Sequence, residues 1–326
     1  MIAGRKCHDE LLWDEVIHDM DGHPLQLWGW GELKAVHGWS AHRVLFTDDE
    51  DRVVGAAQIV TKRLPAPLTR FNYVPRGPVW HDGSEAEVLD ALAAYARRYL
   101  PGIVLTIEPD DTEMPAVHGW SESTNTVLSP HTLVLDLERG ERSLLEAMDA
   151  KTREYIQESG EKNLVVRRVK KPEDIGKCIG IYKQAATRTG TRLRDDLYYQ
   201  DVHALMGDSS VIFAAYSEEG MVAFLWLVVS KKTAFRLYSG TSDDGHRLKA
   251  RYMLEWHAIT KCKQWGIDRY DMNGIDGEAH ASQGFASHSD ELVGTYDYPL
   301  SKLYPLWVRA LPVVKSLLRK SKLLRK

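Results

Sequence analysis

Cysteine is scarce. The 326-residue chain holds three, Cys7, Cys178 and Cys262, widely spaced and odd in number, which excludes a disulfide framework and any CxxC metal site and leaves ordinary thiols. Long apolar runs are missing too. The longest, Met221 to Val229, is about half of the ~20 residues a membrane-crossing helix requires, so it reads as a buried strand. The first residues set Arg5 and Lys6 ahead of Cys7, His8, Asp9 and Glu10 without an apolar h-region, which predicts a cytoplasmic protein. No GxxxxGKS/T, no GxGxxG after a strand, no HExxH and no GxSxG occurs. Nucleotide hydrolysis, a dinucleotide cofactor, a zinc peptidase and a serine hydrolase thus lack their usual signatures. What is present is the composition of a globular protein, with 44% hydrophobic and 27% charged residues, which excludes disorder as the main state.

The net charge of −4 is unevenly spread. Residues 302–326 carry Lys302, Arg309, Lys315, Arg319, Lys320, Lys322, Arg325 and Lys326 and no acid, so the body before them is the more acidic. Trp307, Leu311, Val314 and Leu318 follow 4, 3, 4 spacing, the stripe of an amphipathic helix with basic residues beside it. Such a helix suits either an anionic membrane surface or packing on the body with a solvated basic end.

An internal repeat organises the rest. RVVGAAQIVTKRL, FNYVPRGPVW, the helical SEAEVLDALAAYARRYL and GIVLTIEP recur in order as GMVAFLWLVVSKK, FRLYSGTSD, the helical RLKARYMLEWHAITKCKQW and GIDRYDMNG. Phe71 matches Phe235 and Gly102 matches Gly266, about half the chain apart. Each copy reads as two strands, a helix and another strand. The first helix carries a capping-box signature, Ser84 with Glu87, and the segment after the first copy has Pro172 at a helix start. The sequence therefore predicts an α+β chain of tandem duplicated acetyltransferase-like domains, mixed sheets with flanking helices. Residues 1–150 form the first, 151–301 the second, and 302–326 a basic amphipathic C-terminal helix. Proteins of that type cradle the coenzyme A pyrophosphate in a glycine-bearing loop, but the loop here, TSDDGHRLKAR, has only Gly245. Coenzyme A is a poor candidate donor.

Eight ordered blocks carry a resemblance: QLWGWGELKAVHGW, FNYVPRGPVW, LTIEP, PHTLVLDL, KTREYI, RLRDDLYY, RYMLEWHAITKCKQWGIDRYDMNGI and GTYDYPL. Together they resemble the successive signatures of the Fem-type peptidyltransferases, from about residue 24 to 305, and are similar to compact members without the helical coiled-coil hairpin. The resemblance implies transfer of an amino acid from aminoacyl-tRNA to the stem peptide of a peptidoglycan precursor, the lipid-linked or UDP-linked muramyl pentapeptide. It implies no metal or redox cofactor, a monomer, and a place on the inner face of the cell membrane.

The resemblance also implies site residues. Lys34 matches a lysine on the precursor diphosphate, and Arg194 with Tyr198 completes that site; four residues apart, they share a face if helical. Trp28 and Trp30, two apart as in a strand or turn, are a sugar wall or core. Arg76 follows a strand end beside Gly77, as a site residue or a simple turn. Glu108, at the end of the strand 103–107, takes the place of a family acid, a candidate for binding the acceptor amine or removing its proton. By position, and not by the resemblance, Tyr238 at a strand end and Arg247 with Lys249 and Arg251 opening the second repeat helix are candidates for the donor side, since positive charges at a helix start suit a bound anion. The stretch from Lys151 through Arg153, Lys162, Arg167, Arg168, Lys170 and Lys171 is basic enough to meet tRNA phosphates, or is a solvated face. Asp271 and Asn273 read as structural hydrogen-bonders, and His280 and His288 as loop residues. The sequence departs from the family before Gly284 and Phe285, the latter a substrate-side aromatic. Ala281, Ser282 and Gln283 stand where a lysine is common, and Tyr155 where Asn is. Two alternatives stay open: a same-fold acyltransferase acting on another amine, and a non-catalytic precursor-binding homologue.

Overall fold

The computed structural model describes residues 2–189, 193–273, 284–286 and 289–311. The first stretch of chain forms β1 (Ala3–Lys6), α1 (Glu10–Asp19), α2 (Trp28–Val36), β2 (Ser40–Thr47), β3 (Val53–Arg63), β4 (Arg70–Pro75), β5 (Val79–Trp80), α3 (Glu85–Tyr99), β6 (Val104–Glu108) and β7 (Ser121–Glu122). There follow β8 (His131–Thr132), β9 (Val134–Asp136), α4 (Glu141–Ala147), α5 (Ala150–Gly160), β10 (Val165–Val169), α6 (Pro172–Thr189) and α7 (Asp196–Met206). The last are β11 (Ser210–Ser217), β12 (Gly220–Val229), β13 (Thr233–Thr241), α8 (Asp243–Arg247), α9 (Ala250–Gln264), β14 (Arg269–Asp271), β15 (Asp290–Glu291) and β16 (Tyr296–Pro299). Residues 304–311 are helical.

The chain forms two compact units, one of residues 2–20, 34–130 and 292–311, the other of 21–33 and 131–291. Segments 21–33, 131–150 and 292–301 thus cross the linear division expected at residue 150. In the first unit the sheet runs β1-β2-β3-β4-β6-β16-β7, with β5 on β3. In the second it runs β10-β11-β12-β13-β14-β9, beside a small β15-β8 pair. Each sheet is antiparallel except for one central parallel pair, β4 with β6 and β13 with β14. These pairs are the repeat: β3, β4, α3 and β6 in one unit correspond to β12, β13, α9 and β14 in the other. The strands lie where the apolar runs predicted them. Gly55 to Thr61 of β3 and Val222 to Val228 of β12 are buried throughout, as strands covered on both faces must be.

The helices bury the predicted stripes. Val88, Leu89, Leu92, Tyr95 and Ala96 of α3 enter the first core, and Leu254, Ala258, Ile259 and Cys262 of α9 enter the second. The capping box at Ser84 does not form. The Ser84 hydroxyl donates instead to the carbonyls of Val54 and His81, and Glu85 accepts the N–H of Gly83. Backbone carbonyls within reach thus outcompete the cap. The stripe on 304–311 is also spent on protein. Trp307 is buried and stacks on Phe71 at 5.4 Å, and Val308 and Leu311 pack by Ile103 and Val104. Of the two readings open for this stripe, packing on the body holds for Trp307 and Leu311; Val314, Leu318 and the basic end lie outside the described residues. No helix among the described residues is long and apolar enough to cross a membrane.

Candidate functional site

In mixed α/β sheets, ligands gather at the carboxyl ends of parallel strands, and both units place ionisable or aromatic groups near theirs. In the second unit, β13 bulges opposite Trp226 and Leu227, a device that turns side chains locally, and Tyr238 sits at that bulge. Around it stand Tyr182 at 5.4 Å, Tyr199 at 5.2 Å and Trp226 at 5.8 Å between ring centroids. Tyr198 and Tyr238 share a side-chain hydrogen bond, and the Arg194 guanidinium lies 5.2 Å from the Tyr198 ring centre. Burial drives the Tyr238 phenol well above its ordinary pKa, with Tyr198, Tyr182 and Tyr199 adding to it and Arg194 opposing it. Burial likewise raises Tyr198, against Arg194. Both phenols therefore stay protonated as hydrogen-bond donors at neutral pH, and Arg194 is exposed.

Arg194, Tyr198 and Tyr238 are thus brought together, by a different route from the one expected. Arg194 is not on a helix. Asp195 caps α7 by accepting the Tyr198 N–H at 2.9 Å, and the Arg194 N–H donates to the Tyr199 hydroxyl at 3.0 Å. The cap folds the preceding arginine back over its own helix. Trp28 and Trp30 lie in α2, not in a strand or turn, so their spacing sends them to different faces and they form no paired wall. Trp30 is buried and Trp28 half-buried. Gly29 explains the helix: a Cβ there would stand 2.2 Å from the Leu205 carbonyl oxygen. Lys34 is half-buried in the last turn of α2, in the first unit, where a cation also suits the helix dipole.

In the first unit β4 and β6 end together, Pro75 opposite Glu108. Glu108 is 1% exposed. Its Oε1 accepts from Val127 N at 2.8 Å, Leu128 N at 3.0 Å and the Thr295 hydroxyl at 2.6 Å, and its Oε2 from the Tyr73 hydroxyl. The carboxylate is therefore surrounded by protein donors and ties segment 127–128 to the sheet. Burial foremost, then Glu108, holds the Tyr73 phenol well above its usual pKa, so it remains a donor. Arg76 is buried at φ +48° and donates from Nη2 to the Ser129 carbonyl at 3.1 Å, securing the same segment; Arg76 Nε has no partner among the described residues. Asp297, a second buried carboxylate, accepts from Thr106, Ser123 and Tyr304.

The remaining expected residues make other contacts. Arg247 is exposed on α8 and paired with Asp244, beside a cavity of about 360 Å³ that Lys162, Glu218 and Glu219 also line. Gly245 is pressed to the sheet, since a Cβ there would be 2.3 Å from the Val222 carbonyl oxygen; this glycine serves packing. Phe285 is 1% exposed, stacked on Tyr252 at 6.0 Å, so any effect it has on a ligand passes through that ring. Asp271 accepts from Thr132 and from Asn273 N, as the structural reading expected. His280, His288, Ala281, Ser282 and Gln283 lie outside the described residues. Sequence reasoning missed Tyr73, Tyr182, Tyr199, Trp226 and Asp297. Only Asp297 left a signal, a charge at an inward position of a strand.

Two units with matching strand–helix orders around a parallel pair define a tandem acetyltransferase-like protein. Solved structures share this fold: the crystal structure of FemX, with TM-score 0.83 and 16% identity over 93% of this chain and 100% of that one, and, more distantly, a tandem GNAT protein from the clavulanic acid biosynthesis pathway, with TM-score 0.54 and 12% identity over 92% of this chain and 99% of that one. The chain belongs to the FemAB family, whose profile matches residues 116–219 and 214–310. Among curated relatives, the lipid II:glycine glycyltransferase of Staphylococcus aureus is 25% identical over 201 residues, 56% of this chain and 47% of that protein. That of Staphylococcus saprophyticus is 24% identical over 200 residues, 56% of this chain and 48% of the relative. The chain thus spans about half the length of the curated relatives it matches.

Proposed function

We propose that this protein is an aminoacyltransferase that moves an amino acid from aminoacyl-tRNA to the stem-peptide amine of a peptidoglycan precursor, building part of an interpeptide bridge. The observation that carries the reading is the joining of Arg194 and Tyr198, which the family resemblance assigns to the precursor diphosphate, with Tyr238, expected on the donor side, into one cluster of cation and phenol donors. Such a cluster suits a diphosphate, because a guanidinium offers a bidentate fork and protonated phenols add further hydrogen bonds. Lys34 is a second proposed phosphate contact.

In the reaction the amine nitrogen attacks the ester carbonyl. The new amide C–N bond replaces the C–O bond to the tRNA ribose, and the amine proton ends on the released ribose hydroxyl. Positioning supplies much of the rate in such a transfer. Glu108 enters this reading through its grip on Val127 and Leu128, not as a proton acceptor.

Mass spectrometry tests the proposal, using the purified chain, a lipid-linked pentapeptide precursor and a mixture of charged tRNAs. The expected result is a gain of one amino-acid residue, lost in Arg194→Ala. Reaction with the UDP-linked precursor alone would move the acceptor and keep the chemistry. No gain with either precursor would overturn the transferase reading.

A further inference from the structure

Away from the Arg194 cluster, two lysines almost a hundred residues apart converge on one ring. α5 packs on α9 within the second unit, and Tyr155 of α5 meets Tyr252 of α9 with ring centroids 4.8 Å apart. The Lys249 ammonium lies 4.3 Å from the Tyr155 ring centre, and the Lys151 ammonium 5.6 Å from the same point. The Arg251 guanidinium lies 4.5 Å from the Tyr252 ring centre. The two ammonium groups therefore stand within about 10 Å of each other, roughly a Debye length at moderate salt. Among the described residues no carboxylate pairs with either. Like charges held this close without a counter-charge repel. The tyrosine face holds them through cation–π attraction. Lys249 also adopts a φ of +56°, a left-handed conformation that a lysine enters only at a cost.

We propose that Lys151 and Lys249, held in place by Tyr155, form a docking point for the phosphodiester backbone of a single-stranded RNA segment. This deepens the reading above, resting on its assignment of an aminoacyl-tRNA as donor, and it places the contact on α5 and the start of α9 instead of at Arg247, whose charge Asp244 already neutralises. A lipid surface fits less well. Interfacial binding needs apolar groups to insert, and the exposed large apolar residues described in this unit, Val165, Leu197 and Trp265, belong to neither segment.

The test is binding of a short single-stranded ribo-oligonucleotide to the full chain over a range of salt. Each phosphate neutralised on a single strand contributes about −0.7 to the slope of log affinity against log salt. The double variant Lys151→Gln, Lys249→Asn should lower that slope by about 1.4 and weaken binding roughly tenfold at low salt. Asn tolerates the left-handed backbone, so thermal unfolding should stay at or above the wild-type temperature. Tyr155→Phe should bind as wild type because the ring is kept, whereas Tyr155→Leu should bind more weakly. An unchanged salt slope in the double variant overturns the proposal. So does weakened binding to phosphatidylglycerol vesicles with RNA binding intact. An RNA effect in a chain that transfers nothing leaves the docking point standing and removes the transferase reading; transfer with an unchanged KM for charged tRNA in the double variant does the reverse.

Discussion

At Glu108 the role that the residue type suggests and the bonds that the side chain makes point in different directions. A general base needs an accessible lone pair in reach of the proton it takes. Here Oε1 faces two backbone N–H groups and the Thr295 hydroxyl, and Oε2 faces the Tyr73 hydroxyl and, at 3.2 Å, the Leu128 N–H. Glutamine fits that environment in part. Its oxygen keeps the Oε1 bonds, but its NH₂ replaces the acceptor of the Tyr73 hydroxyl with a donor and also faces the Leu128 N–H. Glu108→Gln should therefore cost about 1–3 kcal/mol, the cost of one buried group left unpaired, and keep amino-acid transfer within several-fold, whereas a true base would lose roughly 10²- to 10⁴-fold. Glu108→Ala strands two buried N–H groups and two hydroxyls, each costing about 1–3 kcal/mol when unpaired, and should lose both stability and transfer. Denaturant titration together with transfer rates for the two variants separates the roles. A Gln variant that folds normally but is inactive would restore the proton acceptor.

At the scale of elements, the sequence was most legible where apolar patterning sets the structure. The repeated strand–strand–helix–strand units could be read from their burial periods, because a strand covered on both faces must be apolar throughout and a covering helix must carry a stripe. Helix α2 was hidden by Gly29 and Gly31, poor helix formers, of which Gly29 is present because it meets the Leu205 backbone. The Arg194 fold-back and the Glu108 donors were hidden for another reason: both depend on partners distant in sequence or on a cap. The stripe at 304–311 was visible, but periodicity cannot say whether lipid or protein covers it. Because Trp307 lies on Phe71, Trp307→Ala should cost about 3 kcal/mol, the usual loss for a buried aromatic, and lower the midpoint of thermal unfolding with no change in affinity for anionic vesicles. Weaker vesicle binding at an unchanged midpoint would return that stripe to the membrane.

Across the whole molecule, acid sensitivity should come from histidines before carboxylates. His42 is held below its ordinary pKa by burial and by Lys6, Arg70 and Arg43. His203 is lowered by burial and Arg168, and His257 by burial and Lys261. One lies in the first unit and two in the second. His203 shows the structural consequence: its Nδ1 stands 3.0 Å from the Ser210 hydroxyl, which already accepts the Trp226 indole N–H at 2.9 Å. A neutral ring can take the serine proton, and a protonated ring cannot. Because the folded state resists protonation, the unfolded chain binds more protons once pH falls below its histidine pKa of about 6.5, so stability drops with falling pH through the interval down to the folded values. The thermal midpoint should therefore decline between pH 7.5 and 5.5, well above the range near pH 4 where ordinary carboxylates titrate. His203→Asn should flatten that decline, since the replacement keeps a polar partner for Ser210 but takes up no proton. A midpoint constant down to pH 5 in the wild-type chain would show that these imidazoles protonate in place without loss of structure.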